Sequence, residues 1–504
     1  MSNHLFGHFL DRMPSRDRVL LHTADGPAMT YGGMLDLSGR IANLLLAQGV
    51  EPGDRVAVQT EKTIEALMIY LACVRAGAVY LPLNTAYTDH EVSYFLGDAE
   101  PKLVVLDPVR VETLASAVYE TGASLLTLGE EGKGSLMLGS KEQVTQFEDV
   151  AREPDDLAAI LYTSGTTGRS KGAMLTHENL ASSARVLVDY WHFSQDDVLI
   201  HALPIFHTHG LFVATNTVLM AGASMIFLPC FDADEVLRMM ERGTVLMGVP
   251  TFYTRLLQQP DLTRQATAGM RLFVSGSAPL RAETHAAFAE RTGHAILERY
   301  GMTETNMNTS NPYDGPRIAG TVGLPLPGVE LRVVDAETGA GLPDGQIGMI
   351  EVRGPNVFKG YWRMPEKTAS EFREDGFFIT GDLGRLDERG YLHIVGRGKD
   401  LVISGGYNVY PKEIETELDQ LAWVSESAVI GVRHPDFGEA VVAVVVPSAG
   451  ATPDEAATID ALAERLARYK LPKRVCFVDE LPRNSMGKVQ KNVLRERFAS
   501  LLDG

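Results

Sequence analysis

Apolar residues along this chain follow two spacings. Short continuous runs, such as Leu103 to Leu106 and Leu157 to Tyr162, have the length of buried strands. Between them, apolar residues recur every three or four positions, as in Ile64 to Ala76, which Gly77 closes as a helix C-cap. The same pattern predicts strands at Asp54 to Val58, Val79 to Leu83, Leu199 to Leu203, Ser224 to Leu228, Val245 to Val249 and Leu272 to Val274. Leu180, Ala184, Leu187 and Trp191 share one helix face. Such alternation argues for a parallel or mixed sheet covered by helices.

After Gly341 the texture changes to short strands at Ile347 to Val352, Phe377 to Thr380 and Tyr391 to Val395, the last two joined by an Asp387-Glu388-Arg389-Gly390 turn. Gly396-Arg397-Gly398-Lys399-Asp400 then interrupts the pattern and suits a hinge or a plain linker. Beyond it come a helix opened by Pro411, strands at Ala428 to Val432 and Val441 to Val446, and a helix from Pro453 to Arg468. A strand at Val475 to Phe477 and a turn at Asn484 to Lys488 complete the unit. The expected fold class is α/β. A large N-terminal body of mixed β-sheets packed with helices spans 1–396, a hinge lies at 397–400, and a small mobile C-terminal α/β lid domain spans 401–504.

Composition excludes some functions. The 504 residues are 45% hydrophobic and 22% charged, as in an ordinary soluble globular protein. A net charge of −19 argues against a general binder of nucleic acid or anionic membrane, so anionic small ligands must be held by local groups. One region departs from this balance: Arg465, Arg468, Lys470, Lys473, Arg474, Arg483, Lys488, Lys491, Arg495 and Arg497 face only Asp479, Glu480 and Glu496 nearby in sequence. That is either a solvated helix face or a module that meets phosphates. Cys73, Cys230 and Cys476 form no CxxC pair, which suits a reducing cytoplasm. No secretory leader is expected from Met1 to Arg12, and no apolar run reaches the roughly 18 residues of a membrane span.

The segment with most chemistry is Tyr162 to Gly172, Tyr-Thr-Ser-Gly-Thr-Thr-Gly-Arg-Ser-Lys-Gly. It reads as a loop between the Leu157 strand and the Leu180 helix, dense in backbone N–H, hydroxyl and cationic donors. Glycines let such a backbone close round a bulky anion, and a polyphosphate is the natural guest. A flexible linker is the plainer alternative. It is not a Walker loop, because Ser170 stands where that motif needs its second glycine.

The order of these residues resembles the phosphate loop of the acyl-adenylating superfamily: acyl-CoA synthetases, peptide-synthetase adenylation domains and beetle luciferases. Further segments resemble it in the same order. They are Leu297-Glu298-Arg299-Tyr300-Gly301-Met302-Thr303-Glu304, Thr380-Gly381-Asp382-Leu383-Gly384, Gly396 to Asp400, Ser404-Gly405-Gly406-Tyr407-Asn408 and Pro482-Arg483-Asn484-Ser485-Met486-Gly487-Lys488. The resemblance implies ATP, Mg²⁺ and coenzyme A as cofactors, and carboxylate attack on the α-phosphorus of ATP. It implies ATP contacts from Thr163, Ser164, Gly165, Thr166, Thr167, Gly168, Lys171, Ser277, Ala278, Glu298, Arg299, Tyr300, Thr303, Asp382, Arg397 and Lys488. Glu304 would hold the metal, and Lys488, Thr303 and Glu304 would be catalytic. Rotation about Lys399 would bring Ser404, Gly405, Gly406 and Tyr407 up as a CoA tunnel.

The chain departs from the superfamily at Arg299, where glycine is frequent. A guanidinium in the acyl pocket needs an anionic partner, which a second substrate carboxylate supplies in bidentate geometry. His207, Ser277 and Met302 map to the same pocket. The implied substrate is a small dicarboxylic acid. Malonate comes first and methylmalonate second, because Arg299 to Asn308 and the chain as a whole resemble malonate-activating members. An internal salt bridge from Arg299 to Glu298 or Glu283 is the structural alternative. Rival functions are a synthetase for another small acid, a free-standing enzyme loading a carrier-protein thiol, and a nucleotide-binding regulator without catalysis. No strand-following GxGxxG supports an oxidoreductase.

Overall fold

The continuous apolar runs become buried strands, and the computed structural model shows how they assemble. It describes residues 2–163, 170–404, 407–434, 438–452, 454–466, 468–484 and 487–502, with the backbone alone at 407, 408 and 438. The chain divides into two compact units, Met1–Glu330 with Val352–Phe378, and Leu331–Glu351 with Ile379–Gly504. The expected hinge at 397–400 lies within the second unit.

The first unit holds two large sheets. In one, Ser124–Thr127, Leu103–Leu106, Arg55–Gln59, Val79–Pro82 and Leu157–Thr163 lie side by side and parallel. Lys171–Thr176 and Gly360–Tyr361 add antiparallel pairings beyond them. The helix Ile64–Ala76 begins where the Thr63 hydroxyl accepts from the Ala66 N–H and ends at Gly77, whose φ of 70° gives the expected C-cap.

The donor-rich loop is placed differently from the expectation. Residues 164–169 do not join a strand to a helix. They join two antiparallel strands, with Ile160 opposite Met174 and Tyr162 opposite Gly172. Lys171–Thr176 is a strand because Ala173 and Leu175 are buried within the sheet. The helix follows at His177–Tyr190, where Thr176 and Asn179 form a reciprocal cap. Trp191 is its C-cap.

In the other sheet, Leu297–Tyr300, Leu272–Ser275, Val245–Gly248, Val198–His201, Ser224–Phe227 and Val19–Thr23 run parallel in that spatial order. One carboxylate ties three of these strands together at their N-terminal ends. Asp197 accepts from Arg271 Nε at 2.6 Å and Nη2 at 2.8 Å, from the Thr244 hydroxyl at 2.8 Å and from the Ser194 N–H at 2.8 Å. Burial opposes its charged form, but these donors outweigh burial and hold the carboxyl below the usual range.

The second unit holds a four-stranded sheet whose Phe378–Leu386 and Leu392–Arg397 strands form the expected antiparallel hairpin. Its other sheet centres on Gly438–Pro447, paired with Val424–His434, Val402–Ser404 and, in parallel, Arg474–Phe477. Val441, Ala443 and Val445 face one apolar cluster with Ile414, Leu418 and Leu462, while Val442 and Val444 face another with Leu494. Both faces are covered, so the strand reads as an unbroken apolar run. The last long helix is shorter than the pattern suggested, Glu455–Ala463, with Asp454 as its cap. Arg465 lies beyond it, bonded to Glu417.

Asp197→Asn at pH 7 should lower unfolding free energy by about 2 kcal/mol, because it leaves the half-buried Arg271 guanidinium without its counter-charge. The folded carboxyl titrates below its unfolded value, so this stabilisation is full above about pH 4 and is lost as pH falls through the depressed folded value. Urea titrations of both proteins at pH 7 and at pH 3.5 measure the difference and its narrowing.

Candidate functional site

Parallel strands place functional loops at their carboxyl ends. Here the ends of Val198–His201, Val245–Gly248, Leu272–Ser275 and Leu297–Tyr300 lead into residues 204–210, 249–253, 276–280 and 301–304. Pro204 to Thr208 leads into a π-helix, His209–Thr215, a rare geometry that recurs at functional sites.

Arg299 ends up buried, at 5% exposure, and its Nε and Nη2 have no hydrogen-bond partner. Among the described residues no carboxylate lies within ion-pair distance of it, so neither the Glu298 nor the Glu283 bridge is made. The Glu298 carboxylate accepts from the Leu280 N–H at 3.1 Å and steadies the turn after Ala278. Burial pushes the guanidinium down to about 9, the Tyr253 hydroxyl opposing the shift. It remains a cation at neutral pH with no counter-ion among the described residues.

The groups round Arg299 make room for something else. A Cβ on Gly276 would lie 2.6 Å from Arg299 Nη1, so only glycine leaves the guanidinium its place. Ser277 follows in the left-handed region at φ 71°, and its Oγ lies 3.2 Å from His209 Nδ1. His209 is fully buried and its Nε2 has no partner. Burial first, and Arg299 next, keep that imidazole neutral, well below its ordinary value. His207 is half-buried and its Nδ1 accepts from the His209 N–H at 3.2 Å. Met302, Thr303, Tyr300 and Ala278 are half-buried at the same strand ends. The result is a fixed cation beside neutral donors, an arrangement that fits a small anion.

A second group of polar residues gathers where the donor-rich loop begins and ends. Ser164, Gly165, Thr166, Thr167 and Gly168 lie outside the described residues. Thr163 Oγ1 donates to Glu304 Oε1 at 3.4 Å, and the Tyr361 hydroxyl lies 3.1 Å from the same oxygen. Lys171 is buried, with Nζ 3.2 Å from Glu371 Oε1 and 4.0 Å from the Tyr361 ring centroid. Among the described residues no group of three or more His, Cys, Asp or Glu could hold a metal. Glu304 with Thr163 fits a hard cation that takes most of its ligands from a bound polyphosphate.

The remaining assigned residues belong to the second unit. Asp382 and Arg397 are cross-strand partners, with Arg397 Nε 3.0 Å from Asp382 Oδ1. Lys399 is exposed on a 3₁₀ turn, Gly398–Asp400, whose Asp400 is held by Arg495 at 2.5 Å. Ser404 is buried and pairs with Tyr407 in a hairpin; Gly405 and Gly406, and the Tyr407 side chain, lie outside the described residues. Lys488 is exposed on a turn closed by Asn484, which accepts from its N–H at 2.9 Å. The basic cluster is largely neutralised: Arg465, Lys470, Arg474, Arg483, Lys491 and Arg495 pair with Glu417, Glu413, Glu455, Glu426, Glu415 and Asp400.

Sequence reasoning missed Tyr253, Gly276, Tyr361 and Glu371. Gly276 directly precedes Ser277, which the sequence placed in the pocket, but its closeness to Arg299 is a tertiary fact. Glu371 had no local signal.

The family model for AMP-binding enzymes matches residues 9–362, and that for the AMP-binding enzyme C-terminal domain matches 413–488. The malonate–CoA ligase of Arabidopsis thaliana is 35% identical, covering 98% of this chain and 90% of its own. A feruloyl-CoA synthase from an Amycolatopsis species is 37% identical over 94% of each chain. Among solved structures, ATP-bound MatB from Rhodopseudomonas palustris superposes with a TM-score of 0.98 at 63% identity over 100% of both chains.

Arg299→Met should stabilise the ligand-free protein by about 1–3 kcal/mol, because it removes a buried charge that has no partner. The penalty is full at pH 7, since the folded value of about 9 lies below the unfolded one but above neutrality. A higher urea midpoint at pH 7 is the expected result.

Proposed function

The chain belongs to the AMP-binding enzyme family, and we propose that within it the protein is a cytoplasmic, AMP-forming ligase that converts malonate, coenzyme A and ATP to malonyl-CoA, AMP and pyrophosphate. The observation that carries the choice of acid is the buried, unpartnered guanidinium of Arg299. A monocarboxylate would leave it unpaired while its single carboxylate reacts. Malonate brings two carboxylates: one pairs with Arg299, and the other reacts.

In the first half-reaction an oxygen of the free carboxylate attacks the α-phosphorus of ATP. The bond to the bridging oxygen of the β-phosphate breaks, pyrophosphate leaves, and malonyl-adenylate remains. In the second, the sulfur of coenzyme A attacks the acyl carbon, the bond to the AMP oxygen breaks, and the thiol proton passes to solvent.

No protein nucleophile is needed, so catalysis is orientation and charge compensation. In this reading Arg299, His209 and Ser277 orient the acid, and Gly276 keeps the guanidinium's place open. His207 and Met302 would complete the pocket wall. Thr163, Lys171 and the loop between them would bind the outer phosphates, and Thr303 the α-phosphate. Glu304, with Thr163, would hold Mg²⁺, which offsets phosphate charge when bound. Ser277, Ala278, Glu298 and Tyr300 would line the nucleotide site. The Asp382 carboxylate would accept the two ribose hydroxyls, with Arg397 steadying it at 3.0 Å. Lys488 would bridge carboxylate and α-phosphate as charge shifts between them. Rotation about Lys399 would then exchange Lys488 for the Ser404 to Tyr407 hairpin, which would guide the pantetheine arm.

Pyrophosphate release should favour malonate over acetate and propionate by at least about a hundredfold in kcat/KM, the worth of one buried charged pair. Methylmalonate should follow, with succinate and oxalate behind. Equal rates with monoacids would return Arg299 to a structural role. Arg299→Ala should raise the malonate KM at least tenfold and leave that of ATP unchanged. In wild type, kcat/KM for malonate in ATP–pyrophosphate exchange should fall as pH rises through about 9, where Arg299 loses its proton. Lys488→Ala should reduce adenylation by about a thousandfold or more while nucleotide affinity stays within a few-fold. Near-normal exchange in that variant would remove Lys488 from the chemistry.

A further inference from the structure

Lys171 stands at the end of the loop assigned above to the outer phosphates of ATP, yet its ammonium already has a carboxylate. Nζ lies 3.2 Å from Glu371 Oε1, and the two side chains are 8% and 19% exposed. An ammonium so buried needs a counter-charge whenever no phosphate is present.

Glu371 is held from two other sides as well. Lys367, one helical turn earlier, reaches the same Oε1 at 2.6 Å, and the Tyr361 hydroxyl donates to Oε2 at 2.7 Å. The pair is therefore asymmetric. If Lys171 moves to another anion, Glu371 keeps Lys367 and Tyr361. If Glu371 is removed, Lys171 keeps, among the described residues, only the Tyr361 ring, 4.0 Å away.

We propose that Glu371 is a resident counter-ion that trades Lys171 with the nucleotide. It holds the ammonium in the ligand-free enzyme, yields it to the β- and γ-phosphates of ATP, and takes it back as pyrophosphate leaves. This rests on the assignment of Lys171 to those phosphates. Glu371 thereby lowers the affinity for ATP and pyrophosphate alike, and keeps a highly charged product from binding too tightly to be released. AMP lacks the outer phosphates and is indifferent to the exchange.

Binding of ATP with Mg²⁺, of pyrophosphate with Mg²⁺ and of AMP, each without acid or CoA, should be measured calorimetrically. The proteins are wild type, Glu371→Gln, Lys171→Met and the double variant, with thermal unfolding followed in parallel. Glu371→Gln should unfold at lower temperature without ligand. It should bind ATP and pyrophosphate roughly three- to ten-fold more tightly, the range of one partly buried ion pair, and AMP as wild type does. In the Lys171→Met background the same substitution should bring no gain, because the competition is for that ammonium. Unchanged or weaker ATP and pyrophosphate binding in Glu371→Gln would overturn the exchange and leave Glu371 as a positioning residue. Wild-type ATP affinity in Lys171→Met would instead overturn the phosphate assignment. Should Glu371→Gln not fold, Glu371→Asp withdraws the carboxylate while keeping its charge for Lys367. It should show a smaller tightening in the same direction, and its absence would count against the exchange.

Discussion

Arg299 carries a positive charge into a place where no carboxylate of the described chain meets it, and the cluster at these strand ends is arranged to permit this. Moving a charge out of water without a partner costs several kcal/mol. The cost is tolerated because the surrounding strands are anchored elsewhere. Asp197 ties the N-terminal ends of three neighbouring strands with four hydrogen bonds, while the guanidinium sits at their opposite, carboxyl side. Gly276 leaves the volume open, and burial keeps His209 neutral so that a second cation does not compete for the same anion.

Two buried cations of the first unit, Arg299 and Lys171, are handled in opposite ways. Arg299 has no counter-ion among the described residues, whereas Lys171 shares Glu371 with Lys367 and Tyr361. The difference suits the charges of the proposed ligands. A small dicarboxylate makes few contacts, so a preorganised, uncompensated guanidinium raises its affinity and rejects acids that cannot neutralise it. A triphosphate carries charge in excess, and a cation already partnered moderates its grip.

In the second unit charge plays a different part. Most of the cations crowded between Arg465 and Arg497 are spent on carboxylates of the same unit, which ties its elements and turns together instead of presenting a basic face. Exposed Lys488 stands on a turn that Asn484 closes, its N–H donating to the Asn484 side chain. The Asp382–Arg397 pair owes its geometry to the hairpin register, which sets the two residues directly opposite.

Strand runs, the Thr63-to-Gly77 helix, the Asp387 hairpin and the α/β class were legible in the sequence, because each depends on local periodicity or on turn chemistry a few residues long. The resemblance in six ordered segments likewise pointed to nucleotide chemistry and to Arg299 as the residue out of pattern. Other facts needed the tertiary structure. Lys171 to Thr176 could be read as loop, since its strand character comes from pairing with Leu157–Thr163. The partner of Lys171 lies 200 positions away in Glu371. That Arg299 meets no carboxylate among the described residues, and that Gly276 is the residue making way for it, follow from how separate strand ends converge. Hydrophobic periodicity acts over one turn or one pleat and is written in neighbouring residues. Compensation of buried charge acts through space, and only the folded chain decides which distant group arrives to provide it.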